Sequence, residues 1–293
     1  MPRTVPSTRP APRLLRWIAP LLLGLGLTGC GLGLVYPRLD SVVGFYLEGL
    51  VTLDPEQSAE LKRILAGNLE WHRRSELGDY SAFLREVAAT VGRGSEREDW
   101  LAAMRRTEQY WREVFEQAAP GYTSIAATFT DAQVRELLAN LGKADEKERR
   151  EYASRDAAER DARREKSLRR AIERFTGPLT PGQRALLREH VAASPSFVPE
   201  WLDNRRVWRE ALADALERRG EGAAFAARMQ VLVARPDELW TPAYRTAVER
   251  RRDELVDLMS RLDASLTPAQ RAAAQRQLLA LADEVQELAR RRG

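Results

Sequence analysis

Four short segments of the sequence share a pattern that predicts the first turn of a helix. In each one, an apolar residue precedes Asp or Thr, and Gln follows three positions after that Asp or Thr. The Asp or Thr side chain can accept a hydrogen bond from the backbone amide of the Gln, whose side chain can bond back to the first amide. Three segments also carry proline at the first helical position, where its missing N–H has no role. The segments are Leu53–Gln57, Phe129–Gln133, Leu179–Gln183 and Leu266–Gln270.

The sequence around these segments also favours helices. Ala, Leu, Arg and Glu dominate, and all four are strong helix formers. Apolar residues recur every three or four positions, as in Leu278, Leu281, Val285 and Leu288. We find no convincing alternation of a strand, so the fold class predicted is all-α, a multi-helix bundle. Helix breaks are predicted at Gly78, Gly92–Gly94, Pro120-Gly121, Gly220 and Pro236.

The spacing of the four segments suggests two similar helical halves. The first and second segments are separated by nearly the same distance as the third and fourth, which is the pattern of a diverged duplication. Residues 143–176 between the halves alternate basic and acidic side chains. They predict a long solvent-exposed helix with ion pairs four residues apart; a surface for lipid headgroups or an acidic partner is the alternative. The predicted divisions are a leader over 1–29, an N-terminal half over 30–142, the linking helix over 143–176 and a C-terminal half over 177–293.

Cys30 is the single cysteine of the sequence, and it ends a short leader. Four arginines precede the apolar stretch Trp17–Leu27, which is well short of the roughly 20 residues that span a membrane. Leu27–Cys30 resembles the lipobox of Gram-negative lipoproteins. The resemblance implies cleavage between Gly29 and Cys30 and acylation of Cys30, for example with palmitate. It implies that the membrane is a partner through this residue. Gly31 then favours the outer membrane, with the protein facing the periplasm.

The charges and motifs exclude several classes of function. The leader holds four arginines and no acidic residue, so the rest of the chain has 43 basic and 43 acidic side chains and lacks the net charge of a nucleic-acid binder. The two histidines, His72 and His190, lie in no zinc motif, and no serine-nucleophile motif occurs. We therefore expect no enzyme, metal or cofactor. A peptidoglycan hydrolase with one desolvated glutamate stays as an alternative.

Trp71, His72, Arg73 and Arg74 carry a second resemblance. With the box Thr180–Gln183 after a charged helix, they resemble a family of uncharacterised helical lipoproteins of Gram-negative bacteria, which implies no activity. These four residues are a candidate surface for contact with a partner; the alternative is that Trp71 anchors the core while the arginines are solvated.

The four helix-start segments are also similar to the Leu-Thr-x-x-Gln boxes of periplasmic stress chaperones, which implies the holding of client proteins. Our preferred interpretation is a binding or envelope-structural module. It would dock another envelope protein in a groove between the two halves.

Overall fold

The computed structural model describes residues 32–291, apart from the side chain of Leu34. The predicted leader, with Gly29 and Cys30, lies outside the described residues. Within the described part no strand occurs, so the all-α prediction is confirmed. A single turn at Leu32–Val35 and 3₁₀ turns at Tyr36–Arg38 and Pro236–Leu239 accompany the longer helices. These are α1 (Leu39–Glu48), α2 (Pro55–Ser75), α3 (Leu77–Arg93), α4 (Arg97–Ala127), α5 (Asp131–Ala153), α6 (Ala157–Thr176), α7 (Pro181–Ala193), α8 (Val198–Glu217), α9 (Ala223–Ala234), α10 (Pro242–Ala264) and α11 (Pro268–Arg290).

All four predicted helix starts are present, at the beginnings of α2, α5, α7 and α11. They also meet in pairs. The side-chain amides of Gln183 and Gln270 bond to each other in both directions at 2.9 Å, and those of Gln57 and Gln133 do so at 2.5 and 3.3 Å. Each glutamine thus caps its own helix and ties it to a second one. The first helix start thus pairs with the second and the third with the fourth, which are the same pairs that the spacing in the sequence suggests. The duplication itself stays a hypothesis.

The break predicted at Pro120-Gly121 is wrong, because α4 runs through both residues. Proline removes one hydrogen bond to the carbonyl four residues earlier. That carbonyl belongs to Glu116, which is exposed and can bond to water. Packing holds the helix together here: a Cβ on Gly121 would come within 2.5 Å of Ile64 in α2, so glycine permits this close approach. The other predicted breaks lie at or near helix ends.

The predicted linking helix over 143–176 is also interrupted. Residues 143–153 are the end of α5, and α6 begins afresh after Asp156, whose side chain accepts from the amide of Glu159 at 2.7 Å. The expected ion pairs are present, as between Arg163 and Glu159 at 2.9 Å. One face of α6 is nevertheless apolar, and its Leu168 and Ile172 pack against a buried cluster. The sequence does not reveal this break, because the charged residues continue across it from α5 into α6.

Three apolar clusters form the interior of the described chain. The largest joins α2, α4, α5, α8 and α9, with Leu61, Leu216 and Phe225 almost fully buried. A second gathers residues 32–39 with α2, α3 and α11, and a third gathers α6, α7 and α10. The predicted stripe of α11 is confirmed at Leu281, Val285 and Leu288, which belong to the second cluster.

The two predicted halves are joined by a long interface between α3 and α11. The helices run antiparallel: the Ser81 hydroxyl donates to the carbonyl of Ala282 at 2.8 Å, and near the other end Arg271 donates to the carbonyl of Val91. Small side chains make close approach possible, because Ala88 and Ala282 are fully buried. Among residues 32–291, no helix combines the length and the apolar character that crossing a bilayer requires.

Candidate functional site

A groove of about 630 Å³ separates α3 from the N-terminal part of α4. The two helices are consecutive in the chain, joined by residues 94–96, yet they diverge from this loop. Both helices pack on α2, but their other neighbours differ: α3 packs on α11, whereas α4 packs on α9 and α10. The residues that line the groove are Asp79, Ala82, Phe83, Glu86, Val87, Thr90, Val91, Ser95, Asp99, Trp100, Ala102, Ala103, Arg106 and Tyr110.

The lining is apolar inside and mostly acidic at its edge. The large apolar side chains are all buried or half-buried; these are Phe83, Val87, Val91, Trp100 and Tyr110. Among the charged side chains Asp99 is half-buried, and the others are exposed; these are Asp79, Glu86 and Arg106. Three carboxylates and one guanidinium therefore line the groove, and one of the carboxylates, Asp99, is already paired with Arg93 at 3.4 Å.

A buried ion pair holds the end of the groove where the two helices diverge. Asp263, which is 3% exposed, accepts from Arg271 Nη1 at 3.1 and 3.2 Å and from the backbone amide of Ser95 at 2.8 Å. Arg271 also bonds to the carbonyl of Val91 at the end of α3. A buried carboxylate is tolerated when it is paired and hydrogen-bonded in this way. The last turn of α10 and the first turn of α11 therefore fix residues 94–96, the loop from which the groove opens.

Aromatic rings close the opposite end of the groove. The ring of Tyr110 lies 4.5 Å from that of Tyr80 and 5.8 Å from that of Phe83, between centroids. The guanidinium of Arg106 lies 4.9 Å above the Tyr110 ring, and the Tyr110 hydroxyl donates to the carbonyl of Asp79 at 3.3 Å. These contacts join α3 to α4 and limit the length of the groove.

The aromatic contacts continue beyond the groove to His72. Its ring lies 5.3 Å from Tyr80 and 5.9 Å from Tyr36, and its Nδ1 is 2.9 Å from the Tyr36 hydroxyl. Burial lowers the pKa of His72 from its ordinary value of 6.5 to about 4. The imidazole is therefore neutral at pH 7, and it acts as a packed, hydrogen-bonded part of the cluster.

The structure brings the four residues of the predicted contact surface to different environments. Only His72 belongs to the aromatic cluster. Trp71 is half-buried with its ring 6.5 Å from that of His72, while Arg73 and Arg74 both pair with Glu70 on the same helix. They do not line the groove. A partner contact at these residues stays a prediction.

Glu76 is a buried carboxylate beside the aromatic cluster, at the break between α2 and α3. It is 7% exposed. Burial raises its pKa above the ordinary value, with the neighbouring Glu113 and Asp79 adding to the effect and Arg106 opposing it. Its environment therefore disfavours the charged form of the carboxyl relative to an exposed glutamate. It does not line the groove.

The second histidine lies in a different place. His190 lines a cavity of about 220 Å³ between α7 and α10, with Glu254 and Arg261 also in its wall. Burial and the nearby Arg251 lower its pKa. In the described part of the chain, no three His, Cys, Asp or Glu side chains are grouped so as to hold a metal ion.

The sequence predicts a groove between the two halves, whereas both walls of this groove lie within the predicted N-terminal half. The sequence of α3 nevertheless contains a signal for it. Leu77, Ser81, Leu84 and Ala88 recur at helical spacing and face α11. A second set, at 80, 83 and 87, makes another face of the same helix apolar. A helix with two apolar faces needs two partners, but the sequence does not reveal that the second partner, α4, diverges.

The comparisons with known proteins add one match. A model described as a family of unknown function (DUF6279) matches residues 49–245. This stretch contains both walls of the groove, while α11 follows it. Searches of curated proteins and of solved structures find no match. Because the matched stretch covers most of its length, the chain belongs to the family of unknown function DUF6279.

Proposed function

We propose that this protein is a lipid-anchored lipoprotein, attached to the outer membrane through Cys30, facing the periplasm and acting as a binding module. The groove between α3 and α4 binds another protein of the cell envelope. The observation that carries this proposal is a long concave surface, apolar inside and charged at its edge. Binding sites are typically built in this way, with a few polar groups that fix orientation.

The groove also indicates the chemistry of its occupant. Its inner surface suits apolar or aromatic side chains. Asp99 is paired with Arg93, but Asp79 and Glu86 still outnumber Arg106, so the edge favours basic residues beside that apolar segment. Two buried polar groups along the groove, the indole N–H of Trp100 and the hydroxyl of Ser95, have no hydrogen-bond partner among the described residues.

Holding unfolded clients, as the stress chaperones do, would use the same groove. The two functions differ in selectivity, because a chaperone accepts many apolar segments and a docking module accepts one. Purified protein that suppresses aggregation of an unrelated model client at equal molar amounts would favour the chaperone.

A cell-wall hydrolase has one observation in its favour, the buried Glu76 with its raised pKa. A proton donor of this kind has to reach the glycosidic oxygen of the substrate. Glu76 does not line the groove, so we rank hydrolysis below binding. Clearing of peptidoglycan in a zymogram, lost in Glu76→Gln, would reverse that order.

The groove is tested by photo-cross-linking in intact cells. A photoreactive amino acid placed at Val87, inside the groove, should cross-link to one envelope protein. The same amino acid at Phe115, which is 39% exposed and outside the groove, is the control. We expect the Val87 product to disappear in the variant Ala102→Trp, which fills the groove from the opposite wall. Cross-links that form equally from both positions, or that persist in Ala102→Trp, contradict the proposal.

The anchor has a separate test. Cys30→Ser should abolish incorporation of labelled palmitate and release the protein from the membrane fraction. Unchanged labelling and sedimentation would refute lipidation without affecting the groove.

A further inference from the structure

The folded body begins almost directly after the proposed anchor. Leu32 and Leu39 pack in the cluster formed with α11, and Tyr36 between them is 6% exposed. Only one residue lies between Cys30 and Leu32, so the chain from the anchor to the body spans at most about 7 Å. An acylated Cys30 would therefore hold this end of the molecule against the bilayer, with no linker to separate them.

The helix that follows has an exposed apolar face. Val42 is 39% exposed and Phe45 is 60% exposed, and they lie three residues apart on the same side of α1. The other side of α1, with Val43 and Leu47, packs against the largest cluster. The tight attachment at Leu32–Leu39 keeps α1 near the anchor, since Phe45 is about 9 Å along the helix axis from Leu39.

Exposed arginines lie near the same end. The last turn of α11 reaches the first described turn, because a Cβ on Gly33 would lie 3.4 Å from Arg291 Nη1. Arg290 and Arg291 are exposed there, as is Arg38 just before α1. Acidic side chains lie at this end as well: Asp40 is half-buried in the first turn of α1, and Glu287 is exposed one turn before Arg291.

We infer that Arg38, Val42, Phe45, Arg290 and Arg291 form a membrane-facing surface, here named the anchor face, that rests on the phospholipid bilayer. The apolar side chains enter the boundary between headgroups and acyl chains, and the guanidinium groups contact lipid phosphates. Interfacial helices bind membranes through these two kinds of interaction. The inference rests on the lipid anchoring proposed above. It adds an orientation, since the anchor face fixes how the groove is presented to the periplasm.

The test uses a tether that does not depend on acylation. A six-histidine segment replaces residues 1–29 and binds nickel-chelating lipid in vesicles, and Cys30→Ser removes the native thiol. A polarity-sensitive dye is attached through Ser41→Cys, one helical turn from Phe45, and in a matched protein through the exposed Glu116→Cys on α4. Spin-labelled phospholipids serve as the quencher.

We expect several-fold stronger quenching at position 41 than at 116, together with a shift of emission to shorter wavelength at 41 alone. The variant Val42→Ser/Phe45→Ser should lower the quenching at 41 towards that at 116. Arg290→Glu/Arg291→Glu should lower it on vesicles with anionic lipid more than on neutral ones. Equal quenching at both positions overturns the inference. Lipidation of Cys30 is measured separately, by palmitate labelling of the unaltered chain. Failure of the anchor and failure of the anchor face are therefore distinguished.

Discussion

The helix α3 packs closely on α11 along one side and is separated from α4 along another. On one side α11 approaches so closely that Ala88 and Ala282 are fully buried and the Ser81 hydroxyl bonds to an α11 carbonyl. On the other side α4 diverges and leaves a groove of about 630 Å³. Small side chains close the first interface, whereas large ones such as Phe83 line the second without filling it. The comparison indicates that α11 provides a rigid support and that the open side is available for binding.

The largest expected effect on stability follows from breaking the Asp263–Arg271 ion pair, where α11 meets the end of α3. Asp263→Ala leaves the half-buried Arg271 without its carboxylate and the Ser95 amide without its acceptor, which should lower the free energy of unfolding by about 3–4 kcal/mol. The control is Asp283→Ala, which breaks an exposed ion pair with Arg85 on the same pair of helices and should cost about 1 kcal/mol or less. Urea unfolding measures both. Equal losses would show that Asp263 does not hold this end together.

The next effect concerns His72, which packs where the aromatic cluster meets the groove side of α3. Its pKa is lowered to about 4 in the folded state, so between pH 6.5 and 4 the unfolded state binds the proton more strongly. Stability should therefore fall as the pH drops through this window, by on the order of 2–3 kcal/mol in all. Unfolding measured at pH 7 and pH 5 tests this.

Protonation of Glu76 should change the free energy of unfolding in the opposite direction over part of that pH range. Its raised pKa means that the folded state binds the proton more strongly above pH 4.5, so acidification through that window favours folding. In His72→Asn the loss on acidification should disappear and the gain from Glu76 should remain. A variant that loses stability as steeply as the parent would contradict the assignment to His72.

A pair of alanines compares the two sides of α3 directly. Ala88→Leu adds volume to the closed interface and should lower stability by about 1–3 kcal/mol. Ala82→Leu adds the same atoms on the groove side, where the alanine is exposed, and should change stability by no more than about 0.5 kcal/mol. Thermal unfolding of both variants suffices. Equal destabilisation would mean that the groove is closed in solution.

The smallest expected effect concerns charge at the groove edge. Glu86→Lys should weaken binding of the protein captured from Val87 by about 1 kcal/mol, or roughly fivefold in Kd, with less weakening at high salt. Glu116→Lys makes the same charge change on an exposed site outside the groove. Titration of the purified proteins at two salt concentrations measures the difference. If both variants bind equally, the edge does not select basic residues.

The fold could be predicted from the sequence where local chemistry determines it. The caps at Asp54, Thr130, Thr180 and Thr267 specify helix starts within four residues, and they are present. The break predicted at Pro120 is wrong because α4 packs closely on α2 at Gly121, and this packing outweighs the local effect of a helix-breaking residue. The packing of α3 on α11 depends on residues that are far apart in the chain, such as Ser81 and Ala282 at a separation of 201 positions, which no local pattern connects. The groove depends on this packing, so neither the α3–α11 interface nor the groove could be predicted from the sequence.

The most direct test of the central claim is the affinity of the purified protein for the partner captured in cells, measured for Ala102→Trp and Ala158→Trp. Ala102 lies in the groove wall, while Ala158 is exposed on α6, and both changes should leave stability within about 0.5 kcal/mol of the parent. We predict that Ala102→Trp raises the Kd at least about tenfold, a loss of about 1.4 kcal/mol, and that Ala158→Trp leaves it unchanged. Equal Kd values for the two variants and the parent would show that the partner binds elsewhere.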